Sequence, residues 1–199
     1  MINTRDKNTR FKSLEDKLHD LHLKSEKLLE EKNQYIDDSL KRRNYIKELE
    51  QISHEIMMIK YEIFTIKGPI VSNQDIDIYL DVELSTKEEK NYFIAIHNTL
   101  DKIGYVRVTL ENVTSYLGNI GYRLDKKFRG NGYMLQALNL LKPTMIEEGL
   151  TKPKITVYPN NISSVKTIEK FGGKLIPKEN DIVGWDTYEV NLSEEEKIK

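Results

Sequence analysis

The stretch that decides the fold is Gly121–Leu138, GYRLDKKFRGNGYMLQAL. It predicts a strand, a short connection, a turn with glycines at 130 and 132, and then a helix. Glycine has no Cβ, so the backbone of such a turn can approach a ligand closely. The first N–H groups of the helix lack intrahelical acceptors, and the helix dipole adds partial positive charge there. The stretch is therefore a candidate pyrophosphate site, with Arg129 as an added cation.

Taken alone, the same stretch also fits a tight turn that carries a surface arginine. Two nucleotide-binding motifs are excluded. The stretch lacks the G-x-x-x-x-G-K-[ST] pattern of a P-loop, and Gly130-Asn131-Gly132 is followed by Tyr, Met and Leu, which breaks the G-x-G-x-x-G dinucleotide pattern.

Strand and helix patterns continue on both sides of this stretch. Apolar residues alternate with polar ones from Ile76 to Leu84, as in a half-buried strand. The helix predicted at about 132–148 contains Pro143, which should kink or divide it. The other predicted elements are strands at about 92–98, 104–110, 118–124, 155–158, 174–176 and 185–192, and helices at about 132–148 and 163–171. This order predicts an α/β or α+β domain with a mixed sheet.

Residues 8–67 contain neither proline nor glycine and follow a different pattern. From Leu14 to Ile63, one position of a seven-residue period is mostly apolar, whereas its partner position is often Ser or Lys. The segment is either one long helix or, with a turn at 33–39 (NQYIDDS), an antiparallel helical hairpin. Its acidic and basic residues nearly balance, so it is expected to be a coiled coil that forms a homodimer or packs on its own domain. The predicted divisions are a helical segment at 1–67, a domain at 70–194 and a solvated tail at 195–199.

Composition excludes several classes of function. The 199 residues carry a net charge of −1, so no nucleic acid or anionic membrane is expected as a partner. The absence of cysteine excludes disulfides, thiolate metal sites and a cysteine nucleophile. His19 and His22 lack further ligands, and no metal is predicted. The sequence shows no signal peptide or membrane-spanning run, so a cytoplasmic location is expected.

A second block, Tyr158–Leu175 (YPNNISSVKTIEKFGGKL), gives the first stretch a context. Arg129–Met134 resembles the R/Q-x-x-G-x-G/A motif of GNAT acetyltransferases. Asn161–Gly172 resembles their N-x-x-[AS]-x-x-x-x-E-K-x-G motif. The two motifs occur in the family's order, and the resemblance covers about residues 92–192. It implies a GNAT-like α+β fold, with a mixed, mostly antiparallel sheet flanked by helices and preceded here by the N-terminal helical segment.

The resemblance also implies roles for particular residues. Backbone groups of Tyr122 and Leu124 should pair with the pantetheine arm of acetyl-CoA, which lies like an extra strand in the sheet. Asn161 and Ser164 should contact the pantetheine or phosphate side of acetyl-CoA, although Asn161 also fits a plain helix N-cap. Backbone amides that hold the pyrophosphate should come from Arg129, Gly130, Asn131, Gly132, Tyr133 and Met134.

The implied activity is acetyl-CoA-dependent N-acetylation of an unidentified primary amine, on a small molecule or a protein, by direct attack on the thioester. Ile168 stands where many members carry a tyrosine acid, so a water, Tyr158 or another tyrosine substitutes, or the thiolate leaves unprotonated. Asn119 stands where some members carry a glutamate base, and could orient a water or the substrate. No catalytic residue is assigned.

The first half of the domain is also short for the family. Only residues 85–91 separate the first two predicted strands, where GNAT domains usually place two helices. The sequence therefore resembles uncharacterised bacterial members with a shortened first half. Its acceptor side is abbreviated, or is supplied by the helical segment or a second subunit. The alternative function is a non-catalytic acyl-CoA-binding or scaffolding protein that acts through its coiled coil.

Overall fold

The computed structural model describes residues 4–34, 39–110, 118–177 and 184–193. The chain divides into two compact units, residues 1–68 and 69–199. The predicted tail at 195–199 and the centre of the predicted turn at 33–39 lie outside the described residues.

The first unit is a pair of antiparallel helices, α1 (Thr4–Gln34) and α2 (Ser39–Lys67). Two ion pairs show that the helices are antiparallel. Arg10, early in α1, pairs with Glu62, late in α2, and Lys24 Nζ, later in α1, lies 3.1 Å from Glu48 Oε1, earlier in α2. Of the two alternatives that the sequence left open, the structure therefore has the hairpin. The apolar residues packed between the helices are Leu18, Ile59 and Ile63, with Phe11, Leu14, Leu21 and Ile56 around them.

The described residues of the second unit form two antiparallel sheets and two α-helices. The first sheet has the order β1-β2-β3-β4-β5, and the second has the order β6-β8-β7. The strands are β1 (Val71–Ser72), β2 (Ile76–Leu80), β3 (Glu89–Ile96), β4 (Lys102–Thr109), β5 (Ile120–Leu124), β6 (Lys154–Val157), β7 (Gly173–Leu175) and β8 (Asp186–Val190), and the helices are α3 (Tyr133–Glu147) and α4 (Ile162–Lys170). The predicted α+β class is confirmed, although every ladder between the described strands is antiparallel rather than mixed.

Strand β2 differs from the half-buried strand that alternation predicted. It ends at Leu80, because the chain turns away there and leaves Leu84 exposed. Asp77 and Tyr79, expected on a solvated face, are only 3% and 6% exposed. Burial is tolerated because His97 Nδ1 lies 2.8 Å from Asp77 Oδ1 and the Asn98 N–H donates to Oδ2 at 2.8 Å.

Helix α3 is continuous across Pro143, so of the two predicted effects of this proline, a kink or a division, the structure excludes the division. Proline removes one intrahelical hydrogen bond, but packing on both sides of it can hold the helix together. Leu141 and Met145 flank the proline and are fully buried. With Leu138, they pack into the core of the second unit, which includes Ile78, Ile94 and Val106 of the first sheet.

Asn119 joins the two sheets, which corrects its predicted role at the reacting group. Its Nδ2 donates to the Thr109 carbonyl at 3.0 Å, and its Oδ1 accepts from the Lys154 N–H at 2.9 Å. Its backbone N–H also donates to the Lys154 carbonyl at 2.6 Å. The side chain is 5% exposed, so its hydrogen bonds go to neighbouring main chain rather than to a water or substrate.

Candidate functional site

The edge of β5 that faces away from β4 carries backbone groups of Tyr122 and Leu124. The Thr109 N–H donates to the Asn119 carbonyl and the Asp125 N–H to the Ile103 carbonyl, which fixes the hydrogen-bonded pairs of the β4–β5 ladder. Because such pairs alternate along an antiparallel ladder, the N–H and C=O groups of residues 122 and 124 point to the opposite edge. The joint at Asn119 lies at the start of β5, and the two sheets are separate beyond it in the described chain.

A glycine turn leads from β5 into α3. A short 3₁₀ turn at Lys126–Phe128 is followed by Gly130 at φ +85° and Gly132 at φ +78°. These positive φ values are in the region that favours glycine, and a Cβ at either position would enter open space. Gly132 is the N-cap residue of α3 and offers no side chain to cap the helix. The first N–H groups of α3 therefore have no intrahelical acceptor and no N-cap side chain to bind.

Helix α4 forms the opposite wall of the site. Its N-cap is Asn161, whose Oδ1 accepts from the Ser164 N–H at 3.4 Å. The Tyr122 hydroxyl donates to the Ser164 carbonyl at 3.3 Å and so connects β5 to α4. Burial raises the pKa of Tyr122 to about 12, and the Ser164 side chain acts in the opposite direction. The hydroxyl is therefore protonated at neutral pH.

A cavity of about 470 Å³ lies between β5, the glycine turn and α4. The residues predicted from sequence that line it are Tyr122, Leu124, Arg129, Gly130, Gly132, Tyr133, Met134, Asn161 and Ser164. The tenth, Asn131, is outside the lining, and its Nδ2 donates to the Phe128 carbonyl at 3.4 Å. The structure thus brings together in one cavity residues from two motifs about thirty positions apart in the chain.

Six further residues line the cavity that sequence reasoning did not single out: Arg123, Leu135, Ser163, Lys166, Thr167 and Lys170. Four of them have a signal in the sequence that would have found them. Ser163, Lys166, Thr167 and Lys170 have the spacing i, i+3, i+4 and i+7, which places them on one face of α4. The opposite face holds Ile168, which is 1% exposed.

The charge of the lining is positive. It includes Arg123, Arg129, Lys166 and Lys170 but neither aspartate nor glutamate. Arg129 Nε donates to the Leu124 carbonyl at 3.0 Å, which holds its guanidinium beside the start of the turn. A cavity with this charge and an uncapped helix start suits an elongated, apolar-to-polar ligand with several phosphate groups.

The other candidates that the sequence raised lie outside this lining. The ring of Tyr158 lies against Trp185, with centroids 3.7 Å apart, and Tyr158 is not among the residues that line the cavity. The described residues contain no cluster of three or more potential metal ligands, and none of their helices is long and apolar enough to cross a membrane.

Arginine and glutamate side chains lie beside β5 on the sheet face away from α3. A Cβ at Gly121 would lie 3.4 Å from Nε and Nη2 of Arg107, so the guanidinium occupies the space above this glycine. Arg107 Nη1 lies 3.4 Å from Glu89 Oε2, and the Thr109 hydroxyl donates to the same oxygen at 3.3 Å. Tyr105 and Arg123 on this face are exposed.

Comparison with known proteins identifies a family whose sequence model matches the chain. A family model for the acetyltransferase (GNAT) domain matches residues 46–174, more than half of the chain. No curated protein matches the chain.

Several solved structures are similar to part of the chain. A domain from Methanocaldococcus jannaschii is 24% identical with a TM-score of 0.45, over 55% of this chain and 70% of that one. An acetyltransferase from Agrobacterium tumefaciens is 21% identical with a TM-score of 0.46, over 52% of this chain and 61% of that one. A ribosomal-protein-S5-alanine acetyltransferase from Vibrio fischeri is 21% identical with a TM-score of 0.43, over 53% and 63%. This chain thus spans about three fifths of the last two proteins.

Proposed function

The chain belongs to the GNAT family of acetyltransferases, and we propose that it transfers the acetyl group of acetyl-CoA to a primary amine by direct attack on the thioester. The observation that carries the proposal is the single cavity that contains both a free strand edge and an uncapped helix start. The strand edge can pair with an amide-bearing arm, and the helix start can bind phosphate.

The residues around the cavity fit acetyl-CoA at each part of the molecule. The N–H and C=O groups of Tyr122 and Leu124 match the two amides of pantetheine, although Arg129 already binds the Leu124 carbonyl. The open space at Gly130 and Gly132 lets the pyrophosphate reach the backbone amides from Gly130 to Met134, whereas the Arg129 N–H already donates to the Lys126 carbonyl at 3.3 Å. Asn161 and Ser164 lie on the α4 side of the same space. When bound there, acetyl-CoA supplies the activated acyl group.

The acceptor amine is proposed to approach from the sheet face that carries Arg107 and Glu89. The other face of the sheet is closed by α3, because Val106, Val108 and Ile120 pack with α3 in the core. A neutral amine is required for attack, and a backbone N–H of residues 122–124 would stabilise the charge that develops on the carbonyl oxygen. The protonated Tyr122 hydroxyl lines the cavity, and no residue is assigned as the acid or the base.

Two measurements on the same preparation test this proposal. Calorimetry with acetyl-CoA measures binding, and release of the CoA thiol in the presence of small primary amines and peptides with free N-termini measures transfer. We expect binding in the micromolar range, about −8 kcal/mol, and thiol release that depends on the amine. Failure to bind acetyl-CoA would refute the proposal. Binding of acetyl-CoA without amine-dependent release of the CoA thiol, with every acceptor tried, would favour the non-catalytic acyl-CoA-binding alternative.

The N-terminal hairpin is proposed as a homodimer surface. Exposed apolar side chains on α1 and α2, among them Leu23, Leu40 and Met58, support this proposal because large apolar groups are expensive to leave in water. Light scattering on the full chain tests it. A mass that stays at 23.3 kDa at every accessible concentration would contradict a dimer.

A further inference from the structure

Arg107 is held in place on the sheet face away from α3. Its Nη1 lies 3.4 Å from Glu89 Oε2, and this oxygen also accepts from the Thr109 hydroxyl at 3.3 Å. The other carboxylate oxygen of Glu89 accepts from Asn91 Nδ2 at 3.2 Å. The Arg107 side chain is only 30% exposed, and its guanidinium fills the space that a side chain at Gly121 would take. This network therefore fixes a positive charge beside Gly121.

Gly121 lies at the end of the proposed acetyl-CoA site where the acyl group is expected. The phosphates are proposed to bind at the glycine turn after Leu124, and the pantetheine arm is proposed to pair with Leu124 and Tyr122. An arm that starts at this turn and follows β5 passes Leu124 first and reaches Gly121 last, because Gly121 precedes Tyr122 in the strand. The thioester is therefore expected beside the Arg107 guanidinium, and an amine that attacks from this face would lie next to a cation.

A second arginine lies beside this fixed charge. In the β4–β5 ladder, Gly121 is opposite Arg107 and Arg123 is opposite Tyr105. The two arginines are therefore diagonal neighbours on one face, with Cα atoms about 7–8 Å apart. Arg123 is exposed, and no carboxylate or aromatic ring of the described residues pairs with it. Like charges this close repel each other, so the stability of the sheet does not account for the pair.

A third cation extends this row along β4. Lys102 is exposed, with its Nζ 5.8 Å from the centroid of the Phe93 ring on the same face. Asp101 and Asp125 lie at this end of the sheet, but no carboxylate of the described residues is within ion-pair distance of Lys102. Five residues of strand, roughly 16 Å, separate Lys102 from Arg107. A row of this length exceeds a small amine and suits an extended peptide.

On these observations we infer that the acceptor is a polypeptide whose reactive amine is followed by acidic residues, and that Arg107 and Arg123 select it by binding the acidic side chains. The inference rests on the proposed function, because it names the acceptor of the same acetyl transfer. Arg107 has five N–H donors, of which the contact with Glu89 uses one. Guanidinium groups bind carboxylates through charge-assisted hydrogen bonds. The same charges reject a basic acceptor, since like charges brought together across an interface repel.

Two peptides that differ only in charge test the inference. Ala-Asp-Asp-Ser and Ala-Asn-Asn-Ser, both with amidated C-termini, serve as acceptors at saturating acetyl-CoA, and kcat/KM is measured from release of the CoA thiol. We expect the wild-type protein to use the acidic peptide about tenfold better, the effect of one hydrogen bond to a charged group at a partly exposed site. The carboxylates raise the pKa of the neighbouring peptide amine, which by itself would favour the neutral peptide.

Variants separate the two arginines from general charge. Arg107→Ala should remove most of the preference and Arg107→Ala/Arg123→Ala all of it, whereas Arg107→Lys keeps the charge and should keep part of the preference. Arg123 also borders the acetyl-CoA cavity, so calorimetry measures the affinity of each variant for acetyl-CoA. Lys152→Ala removes an exposed lysine outside the cavity lining and should keep the tenfold preference. The preference of the wild-type protein should also shrink as salt concentration rises.

Each other outcome has a defined meaning. Equal use of the two peptides by the wild-type protein, or a preference that survives in the double variant, would overturn the inference while the proposed function stands. Acetylation of other amines but of neither peptide would do the same. Use of free aspartate as efficiently as the acidic peptide would assign the site to a small molecule and also overturn the inference. If the wild-type protein acetylates no amine at all, the inference falls together with the proposed function.

Discussion

Replacement of Gly132 by alanine tests the proposed binding of phosphate at the glycine turn before α3, at one of its two residues with a positive φ angle. Gly132 has φ +78°, and a Cβ built on it meets no atom within 4 Å. The new methyl group therefore clashes with nothing in the protein. It enters open space beside the cavity that Gly132 lines, where a phosphate would have to approach the amides of α3.

Two separate magnitudes follow from this geometry. Alanine in a left-handed conformation costs about 1–2 kcal/mol in the folded state. Part of this cost is offset by about 0.4–1 kcal/mol, because alanine lowers the entropy of the unfolded chain. The net loss of stability should therefore be about 1 kcal/mol. Loss of one hydrogen bond to a charged phosphate costs about 1.5–3 kcal/mol, so acetyl-CoA should bind about 10- to 100-fold more weakly.

Gly149 provides a matched control at the other end of the same helix. It has φ +86°, and a Cβ there also meets no atom within 4 Å. It follows the C-cap residue Glu148 and does not line the cavity. Gly149→Ala should therefore lower stability as Gly132→Ala does but leave the affinity for acetyl-CoA unchanged.

Urea unfolding gives the stability of each variant, and calorimetry gives its affinity for acetyl-CoA. The reasoning is refuted if Gly132→Ala and Gly149→Ala bind acetyl-CoA equally well. It is also refuted if Gly132→Ala loses far more stability than Gly149→Ala, since that would mean that its Cβ meets protein after all.

Three further predictions concern stability. Asn119→Ala should lower the free energy of unfolding by about 1–3 kcal/mol, because it leaves the Thr109 carbonyl and the Lys154 N–H, both in part-buried hydrogen bonds, without their partner; a urea midpoint close to that of the wild-type protein would contradict this. Burial alone would raise the pKa of Asp77, but hydrogen bonds from Ser72, His97 and Asn98 outweigh it and lower the pKa below 3.8. The ionised Asp77 therefore stabilises the folded protein, and this stabilisation is complete above pH 3.8 and is lost as pH falls through the lowered pKa. The stability of Asp77→Asn, followed in an acid titration, should depend less on pH than that of the wild-type protein. Burial raises the pKa of Tyr122 to about 12, so its protonated side chain stabilises the folded protein. This stabilisation is complete below pH 10 and is lost as pH rises toward 12. Tyr122→Phe should therefore lose less stability than the wild-type protein across this range, and identical alkaline unfolding of the two proteins would count against it.

The glycine turn before α3 and the α4 cap could be predicted because their signals are local. Glycine at positions 130 and 132, and asparagine before a helix, report backbone conformation within a few residues. The structure places both in the same cavity. The lysines of α4 were also within reach of the sequence, since the spacing from Ser163 to Lys170 fixes one helix face. Lys170 stands at the lysine of the family motif, whereas Lys166 was missed because the motif leaves its position unspecified.

The errors lie where a residue's partner is far away in the chain. Asp77 resembled a solvated residue because its partner His97 comes twenty positions later. Asn119 resembled a substrate-facing residue because Lys154, which binds its side chain, comes thirty-five positions later. The choice between one long N-terminal helix and a hairpin stayed open for a similar reason, since the seven-residue pattern of Leu14 and Ile63 fits a partner from another chain as well as one from the same chain.

The joint at Asn119 has a consequence for how the second unit opens and unfolds. The two sheets share hydrogen bonds at the start of β5, but at Tyr122 and Leu124 the edge of β5 that faces away from β4 pairs with no described strand. Amides on such an edge exchange with solvent through small local openings, and the two sheets can fluctuate as separate units. A bound arm that pairs with this edge would slow amide hydrogen exchange at residues 122 and 124. It would also make the two sheets unfold as one cooperative unit, so the ligand would act as part of the fold as well as a reactant.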